Sequence, residues 1–209
     1  MLASLVVSAS ALATHQNPQK RLTKADNVRA RAMLVTRADL PTGFRPQLSA
    51  GPDPHVECSA SVSESDLTIT GDAEGPQLAL GVVFVSSAAR IYTSAADASA
   101  SWRRSTSAAG TKCATRILRR EFAKQAVRLV SLRKLSFPRV SERSVAYRVE
   151  LSAMTSQGTV PVYVDIVALL RSRGQATVIV GSALVPPQRT EELRLARIVT
   201  RRMASALRG

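Results

Sequence analysis

The chain has 209 residues, 45% of them hydrophobic and 21% charged, with a formal net charge of +14. That length suits one domain with a substantial core. Aromatics supply only 4% of the chain, so Val, Leu and Ala must build most of that core. The aromatics also do not interleave with the basic residues as a base-stacking surface requires, and no nucleic-acid partner is expected.

Residues 2–13, LASLVVSASALA, carry no charge. Twelve residues are too few for a membrane span, which needs about 20 apolar residues, and no other uncharged run has a span's length, so no transmembrane span is expected. The run fits the apolar part of a secretory signal, and Ala11-Leu12-Ala13 forms an A-x-A site for cleavage before Thr14. No Lys or Arg precedes the run. The other reading is an apolar N-terminal helix packed on the domain. With 1–13 read as a signal, 14–20 form a flexible mature N-terminus and 21–209 a single domain, extracellular or in the cell envelope.

The spacing predicts a first helix in TKADNVRARAMLVTRADL. Thr23 caps it, Asp26 stands three residues on, Val28, Ala32 and Val35 line its buried face, and Pro41 and Gly43 end it. Phe44 is expected to tuck back onto the core. Residues 45–77 then form a long irregular acidic loop with a short strand at DLTIT. No Lys or Arg occurs between Pro46 and Ala89. Asp53, Glu57, Glu64, Asp66, Asp72 and Glu74 give this stretch a charge of −6, which leaves +20 on the rest.

Cys58 and Cys113 are the whole cysteine inventory. In an exported chain such a pair reads as one disulfide, and in a cytosolic chain as two buried thiols. A bridge closing roughly 56 residues would be worth about 4 kcal/mol in the chain-entropy account. His55 and Cys58 in HVEC have ligand-like spacing, but no second pair of ligands exists, so no metal and no cofactor are expected.

LALGVVFVSSAARIY (78–92) is a strand region, bent at Gly81 or at SSAA. Ser94 and Asp97 open a second helix that puts Ala98 and Trp102 on one face, with Gly110 as its breaker. A third helix, CATRILRREFAKQA, turns Cys113, Ile117, Leu118 and Phe122 inward and Arg116, Arg119, Arg120 and Lys124 outward. A meander of strands follows at 127–137, 144–154, 160–170 and 175–185. In SVAYRVELSAM, Val145, Tyr147, Val149, Leu151 and Ala153 share one face, and Arg148 and Glu150 the other. VPVYVDIVALL is apolar on both sides and should be central. Thr190 caps a last helix whose buried stripe is Leu195, Val199, Met203 and Ala206. The class is α+β: a curved antiparallel sheet, meandering in the C-terminal half, with helices packed on it.

Familiar catalytic patterns are absent: there is no G-x-S-x-G, H-E-x-x-H, P-loop or G-x-G-x-x-G. A Ser-His-Asp triad would need His15 or His55, and His55 sits in the Pro-rich loop PDPHVEC. Asp165 stands out in VYVDIV, because a charge buried in an apolar strand is costly unless paired. It is either salt-bridged or hydrogen-bonded to an arginine or tyrosine on a neighbouring strand, such as Arg148 or Tyr147, or a ligand-orienting group in a cleft.

The features ADLPTGF, the Cys58-to-DLTITG spacing, SSAARIYTSAADASASWRR and GTVPVYVDIVAL before a terminal helix resemble a family of uncharacterised secreted proteins of high-GC Gram-positive bacteria. The layout is similar to the PsbP-like fold of LpqN-type lipoproteins and to the extracellular sensor domain of PknH-type kinases. This chain lacks the lipidation cysteine of the lipoprotein members. The resemblance implies an envelope or extracytoplasmic domain that binds small ligands or partners, and it carries no catalytic residues. The leading expectation is a non-enzymatic domain with an unknown small or amphipathic ligand, in an apolar pocket formed by Tyr147, Tyr163 and Trp102 with Asp165 as its polar group. The alternative is a basic protein that binds an anionic envelope polymer or lipid surface, which needs the helical arginines on one face. A hydrolase would need a histidine or a carboxylate pair in a cleft.

Overall fold

The computed structural model describes residues 18–47, 62–125, 127–156 and 158–208. The predicted signal, His15, His55, Cys58 and the middle of the acidic loop lie outside the described residues.

Period-two alternation in the C-terminal half yields four strands, β6 (Val127–Leu135), β7 (Arg143–Thr155), β8 (Gly158–Arg171) and β9 (Gly174–Ala183). They pair in succession as an antiparallel meander, as the sequence predicts. The sheet then continues past β9. Five earlier strands extend it: β1 (Gln19–Lys20), β2 (Arg45–Gln47), β3 (Thr68–Glu74), β4 (Gln77–Leu80) and β5 (Val83–Tyr92). The nine strands form one sheet in the order β1-β3-β5-β9-β8-β7-β6, with β4 and β2 beside the first half of β5. All pairings are antiparallel except β1 with β3. The fold is α+β with a curved sheet, as predicted.

Gly81, at a φ of 60°, does more than bend a strand. A left-handed backbone there closes a hairpin between β4 and β5, a conformation glycine adopts without steric cost. Part of the predicted acidic loop is likewise strand: β3 pairs with β5 through Glu74.

Four helices cover the two faces: α1 (Lys24–Ala32), α2 (Ala95–Thr106), α3 (Ala108–Ala123) and α4 (Arg189–Ala206). α1 and α4 pack on one face, where Ala30, Met33, Leu195, Val199 and Met203 join Leu78, Val85, Val167, Val178 and Val180 in a single core. α2 and α3 pack on the other, where Leu118 and Phe122 meet Val149, Leu151, Val164 and Ile179. No described helix is long and apolar enough to cross a membrane.

Three helix expectations need correcting. α1 ends at Ala32, short of Pro41, and a 3-10 turn at Arg37–Asp39 follows. Val28 is 57% exposed and Ala32 is exposed too, while Asp26 and Ala30 are buried. The cause is electrostatic. Arg173, in the β8–β9 turn, grips Asp26 at 2.7 and 2.8 Å, and Thr70 of β3 donates to the same carboxylate at 2.6 Å. That clamp fixes the rotation of the helix and turns Val28 to solvent. Gly110 is not the breaker of α2. Ser107 ends α2 and caps α3, its Oγ accepting from the Gly110 N–H at 3.0 Å. Gly110 lies in the first turn of α3, where a Cβ would sit 2.3 Å from the Arg104 carbonyl oxygen. Finally, the N-cap of α4 is Gln188, not Thr190, so that Glu192 reaches the helix's buried side.

Candidate functional site

A cleft opens between the sheet and the pair α2–α3. Ser94 starts α2 as predicted, its Oγ accepting from the Asp97 N–H at 3.0 Å. Helical spacing then turns Ala98, Ser101 and Trp102 toward the sheet. From below, β7 presents Tyr147 and β5 presents Tyr92, while β6 adds Leu132. The cleft encloses a cavity of about 100 Å³. That is smaller than the roughly 150 Å³ that accommodates a benzene ring in a dry engineered cavity, so it suits a small molecule or the end group of a larger one.

The polar part of the cleft is a buried relay. The Tyr92 hydroxyl donates to Ser101 Oγ at 2.8 Å, and Ser101 donates to a carboxylate oxygen of Glu64. Glu64 is 2% exposed and Ser101 as little. Burial pushes the Tyr92 phenol well above its ordinary range, with the neighbouring Glu64 charge adding to the effect. Tyr147 is raised as well, by burial, against a hydrogen bond to Thr111 that works the other way. These phenols stay protonated and act as fixed donors or acceptors. Asp72, Glu74 and Arg90 line one side of the cleft. Asp72 is paired with Lys20 at 2.9 Å and with Arg90 at 3.5 Å.

Of the four residues predicted to form the site, only Trp102 and Tyr147 meet here. Asp165 and Tyr163 point through the opposite face. The ladder pairs Arg148 with Asp165 and Glu150 with Tyr163, so alternation puts those four side chains on the α4 side and Tyr147 on the α2 side. The predicted pocket of Tyr147, Tyr163 and Trp102 is therefore corrected to one of Tyr147, Tyr92 and Trp102, with Ser101 and Glu64 as the polar groups. Tyr163 is half-buried and lines no part of this cleft.

Asp165 is fully buried and ion-paired, the first of its two predicted readings. Arg148 grips it in a bidentate fork, Nε to Oδ1 at 2.7 Å and Nη2 to Oδ2 at 2.5 Å. The fully buried Glu192 of α4 lies against it. Burial, a hydrogen bond to Asp165 and that residue's charge push the Glu192 carboxyl up to about 8. Arg189 reaches Glu192 at 3.1 Å and stacks over the Phe137 ring at 4.4 Å. This cluster locks α4 to β7 and β8.

Cys113 is buried beside Val62 and Ile117. It is disulfide-bonded, and Cys58 is the chain's other cysteine. Among the described residues, no group of three His, Cys, Asp or Glu side chains could hold a metal ion. The outer side of α3 exposes Lys112, Arg116, Arg119 and Arg120, and none of these four has a carboxylate partner among the described residues.

Sequence reasoning finds Trp102 by its spacing from Ala98, and Ser101 sits on that same face. Glu64 has no such signal. It belongs to a polar, aperiodic stretch where nothing separates a buried acid from a solvated one. No protein-family model matches the chain, and no curated protein sequence matches it.

Proposed function

We propose that this chain is a non-enzymatic extracytoplasmic domain that binds a small or amphipathic ligand in the cleft between α2 and the sheet. The observation that carries the reading is the aromatic-walled cavity, with the Tyr92–Ser101–Glu64 relay as its one buried polar track. Apolar walls with a few convergent polar groups are how proteins seat small molecules. The disulfide at Cys113 supports an oxidising compartment, as does the uncharged run ending in A-x-A.

Trp102 is the single tryptophan and lines this cleft, and the Tyr147 variant below ties its signal to the cleft. Titration with 1-anilinonaphthalene-8-sulfonate should give saturable energy transfer from Trp102. Tyr147→Ala should weaken that binding by roughly tenfold through loss of the aromatic wall. An unchanged Trp102 signal at saturating dye, or equal affinity in the Tyr147 variant, would remove the cleft from consideration.

The runner-up is binding of an anionic polymer along α3, favoured by the exposed row Lys112, Arg116, Arg119 and Arg120. Its signature is polyphosphate binding that collapses with added salt, with Trp102 unaffected.

A further inference from the structure

We propose that the end of the α2–α3 face that no described helix covers is a second ligand site, for an uncharged molecule with an aliphatic body and one hydrogen-bond donor, such as an alcohol or a primary amide. α3 stops at Ala123, but the strands beneath it run on. Past the helix end, β5, β7 and β8 enclose a cavity of about 340 Å³ whose floor includes Phe84, Ala153 and Val162. Its rim is mixed: Val82 is 41% and Met154 77% exposed, beside the uncharged polar side chains of Gln47, Gln125, Thr155 and Ser156. The volume lies within the range of small-molecule pockets, roughly 300–1,000 Å³.

Two observations choose the ligand's chemistry. The first is charge. None of the sixteen described residues lining the cavity is ionisable, in a chain that is 21% charged. A carboxylate or an ammonium seated there would lose its hydration with no counter-charge among the described lining residues to replace it.

The second is Gln77, a polar side chain only 2% exposed. Alternation puts it beside Ala79, which pairs with Phe84, so the amide projects onto the cavity side of β4. Its Nε2 donates to Gln47 Oε1 at 3.2 Å, while its Oε1 accepts from no donor. A buried acceptor left unmade is costly. A ligand O–H or N–H at that oxygen removes the cost, which makes the site selective for a donor. The aromatic cleft at Trp102 has no part in this cavity's lining.

The test uses the full chain and four eight-carbon probes: 1-octanol, 2-octanone, octanoate and octylammonium. Calorimetry gives affinity, and the Gln77 side-chain amide resonances give location. Octanol should bind and shift those resonances, with the other three roughly tenfold weaker or worse. Gln77→Leu should erase the advantage of octanol over octanone. This variant replaces a half-partnered amide by an apolar group of similar size, and Gln47, which loses its donor, is exposed, so it should fold. Ala153→Trp should abolish octanol binding by filling the site. The proposal is overturned if octanol does not bind, if octanoate or octylammonium binds as well, or if Gln77→Leu leaves the octanol preference intact. Trp102 fluorescence should not respond to octanol, and a response there would place the alcohol in the cleft and also overturn the second site.

Discussion

On the α1–α4 side of the sheet, twenty buried residues pack as one cluster. On the α2–α3 side, the buried residues fall into three separate clusters, and both cavities described above lie there. The same strands serve both faces, so the difference lies in the helices. α4 is an unbroken helix of 18 residues and seals the strands it crosses. The opposite cover is interrupted at Ser107, where α2 hands over to α3, and it ends at Ala123. One cavity lies under the first helix of this interrupted cover, and the other lies past its end. These two spaces thus arise where helical cover is discontinuous, whereas the fully buried carboxylates Asp165 and Glu192 are ion-paired beneath the unbroken helix.

The sharpest way to break the closed face is to remove Arg148. Asp165 has no exposed surface, so Arg148→Ala strands a buried carboxylate and should cost about 3–5 kcal/mol, read from urea unfolding. The double replacement Arg148→Met with Asp165→Leu should recover most of that loss, because neither member of the pair is then left buried without its partner. A single-variant cost near that of an exposed pair, below about 1 kcal/mol, would show that water reaches Asp165.

A smaller effect contrasts the faces directly. Ala146 and Ala168 lie on the adjacent strands β7 and β8, within one ladder step of each other, but face opposite ways. Ala146 is fully buried in the continuous core, whereas Ala168 lines the cleft. Ala146→Val should overpack and cost about 1–3 kcal/mol. Ala168→Val has room and should stay within about 1 kcal/mol of neutral. Equal costs at the two positions would mean that the cleft offers no usable space.

Much of this architecture is legible in the sequence because it is local. Period-two alternation marks Val145 through Ala153, and Ser94 with Asp97 marks the start of α2. What is not legible depends on register. Once Arg148 is paired with Asp165, Tyr147 and Tyr163 must face opposite ways, yet both look like candidates for one pocket while the register is unknown. The rotation of α1 is hidden for a similar reason. Its hydrophobic spacing favours burying Val28, but Arg173, 147 positions away in the chain, holds Asp26 inward instead. Gly110 reads as a breaker because propensity cannot see that another backbone passes against it. Within the site, spacing reveals Trp102, whereas the role of Glu64 exists only once Ser101 is above it.

The finest distinction between regions concerns pH. Asp26 clamps α1 at one edge, and the hydrogen bonds from Arg173 are the main cause that holds its carboxyl well below its ordinary 3.8. A depressed carboxyl adds stability that is full above 3.8 and is lost only as pH falls through its folded value. Glu192 behaves in the opposite sense. Burial raises its carboxyl from 4.5 to about 8, so the folded state holds a proton that the unfolded chain has released. Its contribution is complete below 4.5 and declines as pH rises toward about 8. The groups around it are Asp165 and Arg148 from the sheet and Arg189 on α4. Thermal midpoints of the native chain should therefore fall between about 4.5 and about 8. Glu192→Gln keeps a donor toward Asp165 but cannot ionise, so its midpoints should stay level over the same range. If the variant retained the full decline, the proton would reside elsewhere, and α4 would be held to the sheet by the Arg148 and Arg189 charges without a neutral carboxyl between them.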